Sequence, residues 1–389
     1  MISNRIKIPA ACHVSIFTMR WFPRVMMIAV CLSAGSACSL GPSGRPADDL
    51  EIRTPGSWQQ ASTGKDRRIS SDWLGEFGDR DLTRTVDEAL ANNRDLRVSA
   101  ARMREAREAS VITRSRALPS AAAAASTAGS DGPSRPSNTD YGLSISTSWE
   151  VDLWGRLRDL TRAAQASERA AAEDFRGARL SLAATTAKSW CNLISAEQEV
   201  KLAEQTLESF EKNLRIVERT YRGTGEGALD IQFSRTNVSA AARAVEQAKL
   251  NRDQAARSLE VLLGRYPSGT SRAAKELPKL TKNVPAGIPA DLLDRRPDLA
   301  AARYRLFASA RRADAARKAL LPSLSLTGSA GASSSSLSDL LDADRLLGTI
   351  ATRFSQAIYE GGAIEAEARA ALDRNDAELN AYAQRALEA

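Results

Sequence analysis

The residue types best suited to chemistry are few in this sequence, and they stand in the wrong places for it. His13 is the only histidine among 389 residues. It falls inside an N-terminal stretch that reads as removable, so the remaining chain has no imidazole for general-base work, for a serine and histidine pair or for a zinc site. The familiar hydrolase chemistries are thereby excluded. Of four cysteines, Cys12 and Cys31 leave with the same stretch, Cys38 stands at its end and Cys191 is alone in the body. No internal disulfide is then possible. Charge is equally unhelpful. The 54 basic residues exceed the 47 acidic ones by seven, but Arg5, Lys7, Arg20 and Arg24 lie in the stretch to be removed, which holds no acid. The small surplus that remains is no electrostatic footprint for a polyanion, which sets aside an arginine-rich nucleic-acid binder.

The removable stretch has the layout of an export signal. Met19, a possible true start, is followed by Arg20 to Arg24, the apolar run Val25 to Leu32, the small residues Ser33 to Ala37, and Cys38. The apolar run is too short to span a bilayer as a helix. Gly35-Ser36-Ala37-Cys38 resembles a bacterial lipobox, whose cysteine is acylated and becomes the mature N-terminus. Gly35 departs from the leucine usual there, and Ser39, in place of aspartate, resembles outer-membrane sorting. The alternative is an ordinary signal peptide cut near Ala37 that leaves an unmodified thiol.

The elements that follow are those of a repeated architecture. The chain is 43% hydrophobic but only 5% aromatic, which suits long amphipathic helices better than one thick core. Asp95-Leu96 through Leu118-Pro119-Ser120 aligns without a gap to Asp298-Leu299 through Leu321-Pro322-Ser323, a shift of 203. Both copies are helices rich in alanine and arginine, ended by Leu-Pro, where proline stops helical hydrogen bonding and favours an extended exit. From Tyr141 the odd positions run Tyr, Leu, Ile, Thr, Trp, Val, Leu and the even ones Gly, Ser, Ser, Ser, Glu, Asp, up to Leu153. Such a strand has one apolar and one polar face and is long enough to cross a bilayer tilted. Ser323 to Ala330 alternates likewise. Ile350 to Ile358 does so more weakly, with Arg353 on its polar side, and Ala121 to Ser130 is the least marked. A soluble hairpin pair would share this pattern.

From Arg156 to Arg222 there is no proline and a single glycine, Gly177. Leu193, Val200, Leu207, Leu214 and Tyr221 recur every seven residues, with Ala196, Ala203, Phe210 and Val217 between them, which is a heptad seam. The run Gly223 to Gly227 breaks this helix. A second, beginning near Leu229 and Asp230, carries Ile231, Val238, Val245 and Leu259 against Ala241, Ala248, Ala255 and Leu262, with Arg252 the exception. The two should form an antiparallel coiled-coil hairpin whose reversal requires positive φ at Gly223 and Gly227. The Trp149 to Leu157 segment aligns with Phe354 to Gly362 at a shift of 205.

Four amphipathic strands cannot close a barrel, and open edges in a bilayer leave unpaired backbone groups, so several chains must share one barrel. Here the sequence resembles the TolC-like outer-membrane efflux family, the outer-membrane factors of tripartite pumps of the resistance-nodulation-division type, in its lipoprotein branch. The residues carrying the resemblance are Cys38 with Gly41-Pro42, Asn92 to Leu96, Leu118-Pro119-Ser120, Trp149 to Arg158, Tyr221 to Asp230, Leu262-Leu263-Gly264, and Ile288-Pro289 to Leu299 with its Arg295-Arg296-Pro297-Asp298-Leu299 run.

The resemblance implies a mainly α fold with β: long coiled-coil helices form a periplasmic tunnel, and each chain gives four strands to a trimeric twelve-stranded barrel. It implies a passive exit duct with no catalytic residue and no cofactor, in the outer membrane, partnered by a periplasmic adaptor and an inner-membrane pump and lipid-modified at Cys38. It places the adaptor contact at Tyr221, Gly223, Gly227, Leu229 and Asp230; the plainer reading of these is turn and cap chemistry, with Asp230 near a helix start. The expected plan is a signal over 1–37, an anchored extended segment over 38–80, a first repeat over 81–264, a linker over 265–297 and a second repeat over 298–389. In the first repeat 109 positions separate Gly155 from Gly264, whereas 27 follow Gly362. The second repeat is therefore expected to be incomplete at its C-terminal end, and no gate residue is carried over. A lipid-anchored periplasmic coiled-coil scaffold is the alternative from another class.

Overall fold

A computed structural model of the chain describes residues 73–132, 135–274, 276–280 and 295–388. The export signal and Cys38 lie outside these residues, as does most of the segment expected to be extended. Helix α1 (Arg80–Asn92) starts where the Asp79 carboxylate accepts from the Asp81 and Leu82 amides at 2.9 and 3.0 Å. Leu82, Val86 and Ala89 recur at helical spacing and are buried. They pack against Ala183, Trp190, Leu193 and Ile194 of α3 (Arg156–Thr224) and Ala256 and Leu259 of α4 (Ala228–Leu262), forming the main core.

Asn93 then turns the chain. Its Oδ1 accepts from the Leu96 amide at 3.0 Å to cap α2 (Arg94–Ser115), while its Nδ2 donates to the Leu262 carbonyl at 3.0 Å. Gly264, next to that point, has φ +72, and a Cβ there would meet the Asn92 carbonyl oxygen at 2.6 Å. Only glycine allows this approach. The Asn92-Asn93 and Leu263-Gly264 motifs, far apart in sequence, are thus two sides of one joint.

The helix over Pro297–Lys318, α5, has the same 22-residue length as α2 and starts 203 positions later. Pro297 occupies the first turn, where its missing N–H is not needed. It lies 3.7 Å from where a Cβ would stand on Gly177, the one glycine inside the body of α3. The strands are β1 (Ser120–Gly132), β2 (Arg135–Val151), β3 (Ser323–Ser334) and β4 (Leu347–Ser355), joined in one antiparallel sheet of order β1-β2-β3-β4. Helix α6 (Ala363–Leu387) follows β4.

Helix α3 has 69 residues, roughly 100 Å at 1.5 Å per residue. It packs along α4 and α5. Burial on its heptad seam fades along its length: Leu193 and Ala196 are buried, Val200 and Leu207 half-buried, Tyr221 exposed. On α4, Ala241, Val245, Ala248 and Leu259 are buried, and Arg252, the exception to the seam, is paired with Asp253 at 2.8 Å.

Two expectations are corrected. The residues with positive φ at the hairpin reversal are Gly225 (+76) and Gly227 (+97), whereas Gly223 lies within the last helical turn of α3 with open space around it. A run of three glycines does not say which of them leaves the helix. The strand-to-helix turns also do not superpose at a shift of 205. The left-handed glycines that precede α3 and α6 are Gly155 and Gly362, 207 apart, because the turn after β4 is longer than the turn after β2.

Candidate membrane channel and hairpin tip

The sheet has two unlike faces, and strand register assigns every residue to one of them, since direct cross-strand partners share a face. One row joins Ala123, Ile145, Ala330 and Gly348; the next row on that face joins Ala121, Thr147, Gly328 and Ile350. Trp149 with Leu326, and Leu324 with Phe354, continue the apolar side. The other face holds the rows Ala122, Ser146, Ser329, Thr349 and Ser120, Ser148, Thr327, Ala351. Its hydroxyls bond one another, as between Ser329 and Thr349 at 2.7 Å. Among the described residues no element covers the apolar side: Ile145 is 60% exposed, Ile350 84% and Phe354 64%. A sheet bare on its apolar face and hydroxylated on the other fits a barrel wall with lipid outside and water inside. Among the described residues no helix is long and apolar enough to cross a membrane.

The Trp149-Glu150-Val151-Asp152-Leu153-Trp154-Gly155 motif is the joint between this wall and α3. Trp149 Nε1 donates to the Ala117 carbonyl at 3.0 Å, and Trp154 Nε1 to the Pro322 carbonyl at 2.7 Å. Each indole therefore grips one of the two Leu-Pro exits that the repeat predicts. Glu150 takes both contacts of Arg156, at 2.6 and 2.8 Å. Asp152 caps α3 by accepting from the Leu157 and Arg158 amides at 3.0 and 2.9 Å. Asp159, in the first turn of α3, is buried and ion-paired with Lys318, with Arg162 and Arg311 each at 3.8 Å. Lys318 ends α5, so acid and base each sit at the helix end whose dipole favours them. A cavity of about 330 Å³ lined by Glu150, Trp154, Arg156, Lys318 and Pro322 lies at this joint.

The hairpin tip is built differently. The Gly225 amide donates to the Tyr221 carbonyl at 2.8 Å to end α3, and the Asp230 amide donates to the Gly227 carbonyl at 3.0 Å as α4 begins. The Asp230 side chain stands in the first turn of α4 but caps nothing; the N-cap is Gly227. Tyr221, Gly223, Gly227, Leu229 and Asp230 are all exposed and brought together at one end of the hairpin, where Arg235 reaches Glu218 across the helices at 3.3 Å.

Sequence reasoning misses Glu260. Nearly fully buried, it accepts from the Gly269, Thr270 and Ser271 amides at 2.7 to 2.9 Å and from the Ser268 and Ser271 hydroxyls. Burial alone would raise its pKa, but these hydrogen bonds outweigh burial and hold it at about 2. It fastens the chain leaving α4, and its contribution to stability is present above the ordinary carboxylate range and lost as pH falls toward 2. Cys191 is half-buried, and burial, with Asp79 adding to it, pushes its thiol up, away from reactivity. No cluster of metal-ligating side chains occurs among the described residues.

A bare-faced sheet, a long helical hairpin and a joint that fuses them define a class, the membrane channels whose barrel continues into helices. The chain belongs to the outer membrane efflux protein family, whose model matches residues 85–265 and 288–389. It is 31% identical over 372 residues to outer membrane protein OprJ of Pseudomonas aeruginosa, covering 92% of this chain and 76% of OprJ. It is 30% identical over 359 residues to the toluene efflux pump outer membrane protein TtgI of Pseudomonas putida, covering 89% and 76%. The crystal structure of the Campylobacter jejuni CmeC outer membrane channel matches with a TM-score of 0.78 at 26% identity, covering 86% of this chain and 73% of that one. The protein is the outer-membrane channel component of an efflux system, and its family is one of channels, not enzymes.

Proposed function

We propose that three copies of this chain close a twelve-stranded barrel and form the passive exit duct of a tripartite pump for small toxic compounds. A periplasmic adaptor docks on the tip at Tyr221, Gly223, Gly227, Leu229 and Asp230, an inner-membrane pump of the resistance-nodulation-division type drives the flux, and Cys38 carries the lipid anchor. The observation that carries this reading is the four-stranded sheet, whose outer strands β1 and β4 each have one unpaired edge and whose apolar face is uncovered. In a bilayer each unpaired backbone group costs several kcal/mol, so the edges need partner strands, and identical copies supply them. Apolar cargo is favoured by the name of TtgI, which specifies toluene. The tip assignment is supported by its exposure and by the absence, among the described residues, of any element packed over it.

The test is expression in a strain lacking its own duct but retaining pump and adaptor. Heat-sensitive trimers in the outer membrane and recovered tolerance to solvents or drugs are expected; membrane-attached monomers with no heat-sensitive trimer and no recovered tolerance would instead favour the lipid-anchored periplasmic scaffold. Mass spectrometry of the mature N-terminus should find a diacylglyceryl thioether on Cys38, and an unmodified thiol there would remove the anchor.

A further inference from the structure

The hydroxylated face of the sheet holds one charge that the channel reading does not use. Glu150 pairs with Ser325, and Ser325 with Arg353, so Arg353 shares the water-facing side in the third β3–β4 residue pair from the strand ends that lead to the helices. Between the Asp140 row and this one, that face carries only serine, threonine, alanine, glycine and Leu347. Glu150, two strands away, is already engaged by both contacts of Arg156. Arg353 is exposed and forms no ion pair among the described residues. Nor would a neighbouring copy provide one through β1, which has no acidic residue from Ser120 to Ser130.

We propose that Arg353, repeated in three copies, forms a cationic ring inside the periplasmic end of the barrel and sets the channel's charge preference, favouring anionic over cationic solutes. This rests on the trimeric barrel proposed above. Arginine stays charged at any working pH, so the ring cannot be switched off by deprotonation. Twelve strands about 4.8 Å apart and tilted give a barrel roughly 24 Å across at the backbone. A passing solute is then within about one Debye length of the ring at 0.1 M salt, ~10 Å, but not at 1 M, where that length is ~3 Å. Because the carboxylate of that row, Glu150, is already bound by Arg156, the ring keeps its charge and should change the anion-to-cation permeability ratio by about three- to ten-fold at 0.1 M and by little at 1 M.

The test is the reversal potential of the purified protein in planar bilayers under a KCl gradient. Arg353→Gln should move the ratio toward cations by that factor, Arg353→Glu further, and Arg353→Lys should keep the wild-type value. If the neutral variant assembles poorly, Thr349→Arg, two residues along the same strand face, supplies the converse test and should move the ratio toward anions. Pores whose reversal potential ignores Arg353→Gln, Arg353→Glu and Thr349→Arg would overturn the assignment while leaving the channel standing. A wild-type protein that folds and forms no pore would overturn the barrel reading and this inference with it.

Discussion

The two turns that carry the chain from sheet to helix occupy equivalent places in the two repeats and are held in opposite ways. After β2, Asp152 caps α3, Trp154 grips the Pro322 carbonyl, and Asp159 locks Lys318 beneath. After β4 the turn is longer, Gly362 precedes α6 without a side-chain cap, and Ile358 and Tyr359 are 98% and 86% exposed. The positions matching Asp159 and Lys318 in the other repeat, by the 207 and 203 shifts, are Ala366 and Ser115, so the ion pair has no counterpart. Equal topology has been kept while the fastening has not. The first turn is fastened within one chain, with Leu153 and Trp154 still about half exposed, and the second leaves Ile358 and Tyr359 almost bare, where the proposed trimer would set a neighbour at the β4 edge.

The largest effect expected from this contrast is at Asp159. Asp159→Ala strips the acid from around Lys318, Arg162 and Arg311, and losing one partner of a buried pair costs about 3 to 5 kcal/mol. Thermal unfolding in detergent should show a clear fall in the midpoint, and an unchanged midpoint would mean that the first turn is not the stronger one. Asp152→Ala removes two cap bonds and should cost about 1 to 2 kcal/mol, read in the same way. In the second turn, Ile358→Ser with Tyr359→Ser should leave the unfolding midpoint of the dissociated subunit within about 0.5 kcal/mol, as surface changes do, but lower the trimer yield on gels run without heating. Equal trimer yield would sink the idea that this turn waits for a neighbour. The remaining stability effects belong to the tip and stay local. Gly225→Ala, at φ +76, should cost about 1 kcal/mol locally, while Gly223→Ala, inside the helix, should be neutral or slightly stabilising. Adaptor capture should weaken in both variants, and more in the first, where the turn itself is strained.

How legible all this is from sequence depends on whether a residue's role is local. The alternation from Tyr141 onward is readable because one face meets lipid and the other water, so each position is dictated by its own surroundings. β1 is nearly all alanine and serine and gives no such contrast, and its strand is fixed by pairing with β2. The heptads of α3 and α4 place the hairpin, but which glycine leaves the helix depends on where the last amide finds its carbonyl, here Gly225 to Tyr221. Glu260 reads as an ordinary surface acid of a helix, and only the Ser268-Gly269-Thr270-Ser271 loop folding back over it makes it an anchor. The Trp149 to Gly155 motif is conspicuous in the chain, yet its partners Ala117 and Pro322 emerge only once the strands are in register.

The central claim is that this sheet is a membrane-spanning wall with lipid on the Ile145 side and water on the Ser146 side. Single cysteines at these adjacent positions, Ile145→Cys and Ser146→Cys in a Cys191→Ala background, probed in intact outer membranes with a water-soluble maleimide, test it most directly. The account predicts rapid labelling at 146 and none at 145 until the membrane is dissolved and the protein unfolded. Rapid labelling at both positions in intact membranes would contradict it and leave a soluble hairpin on a periplasmic scaffold.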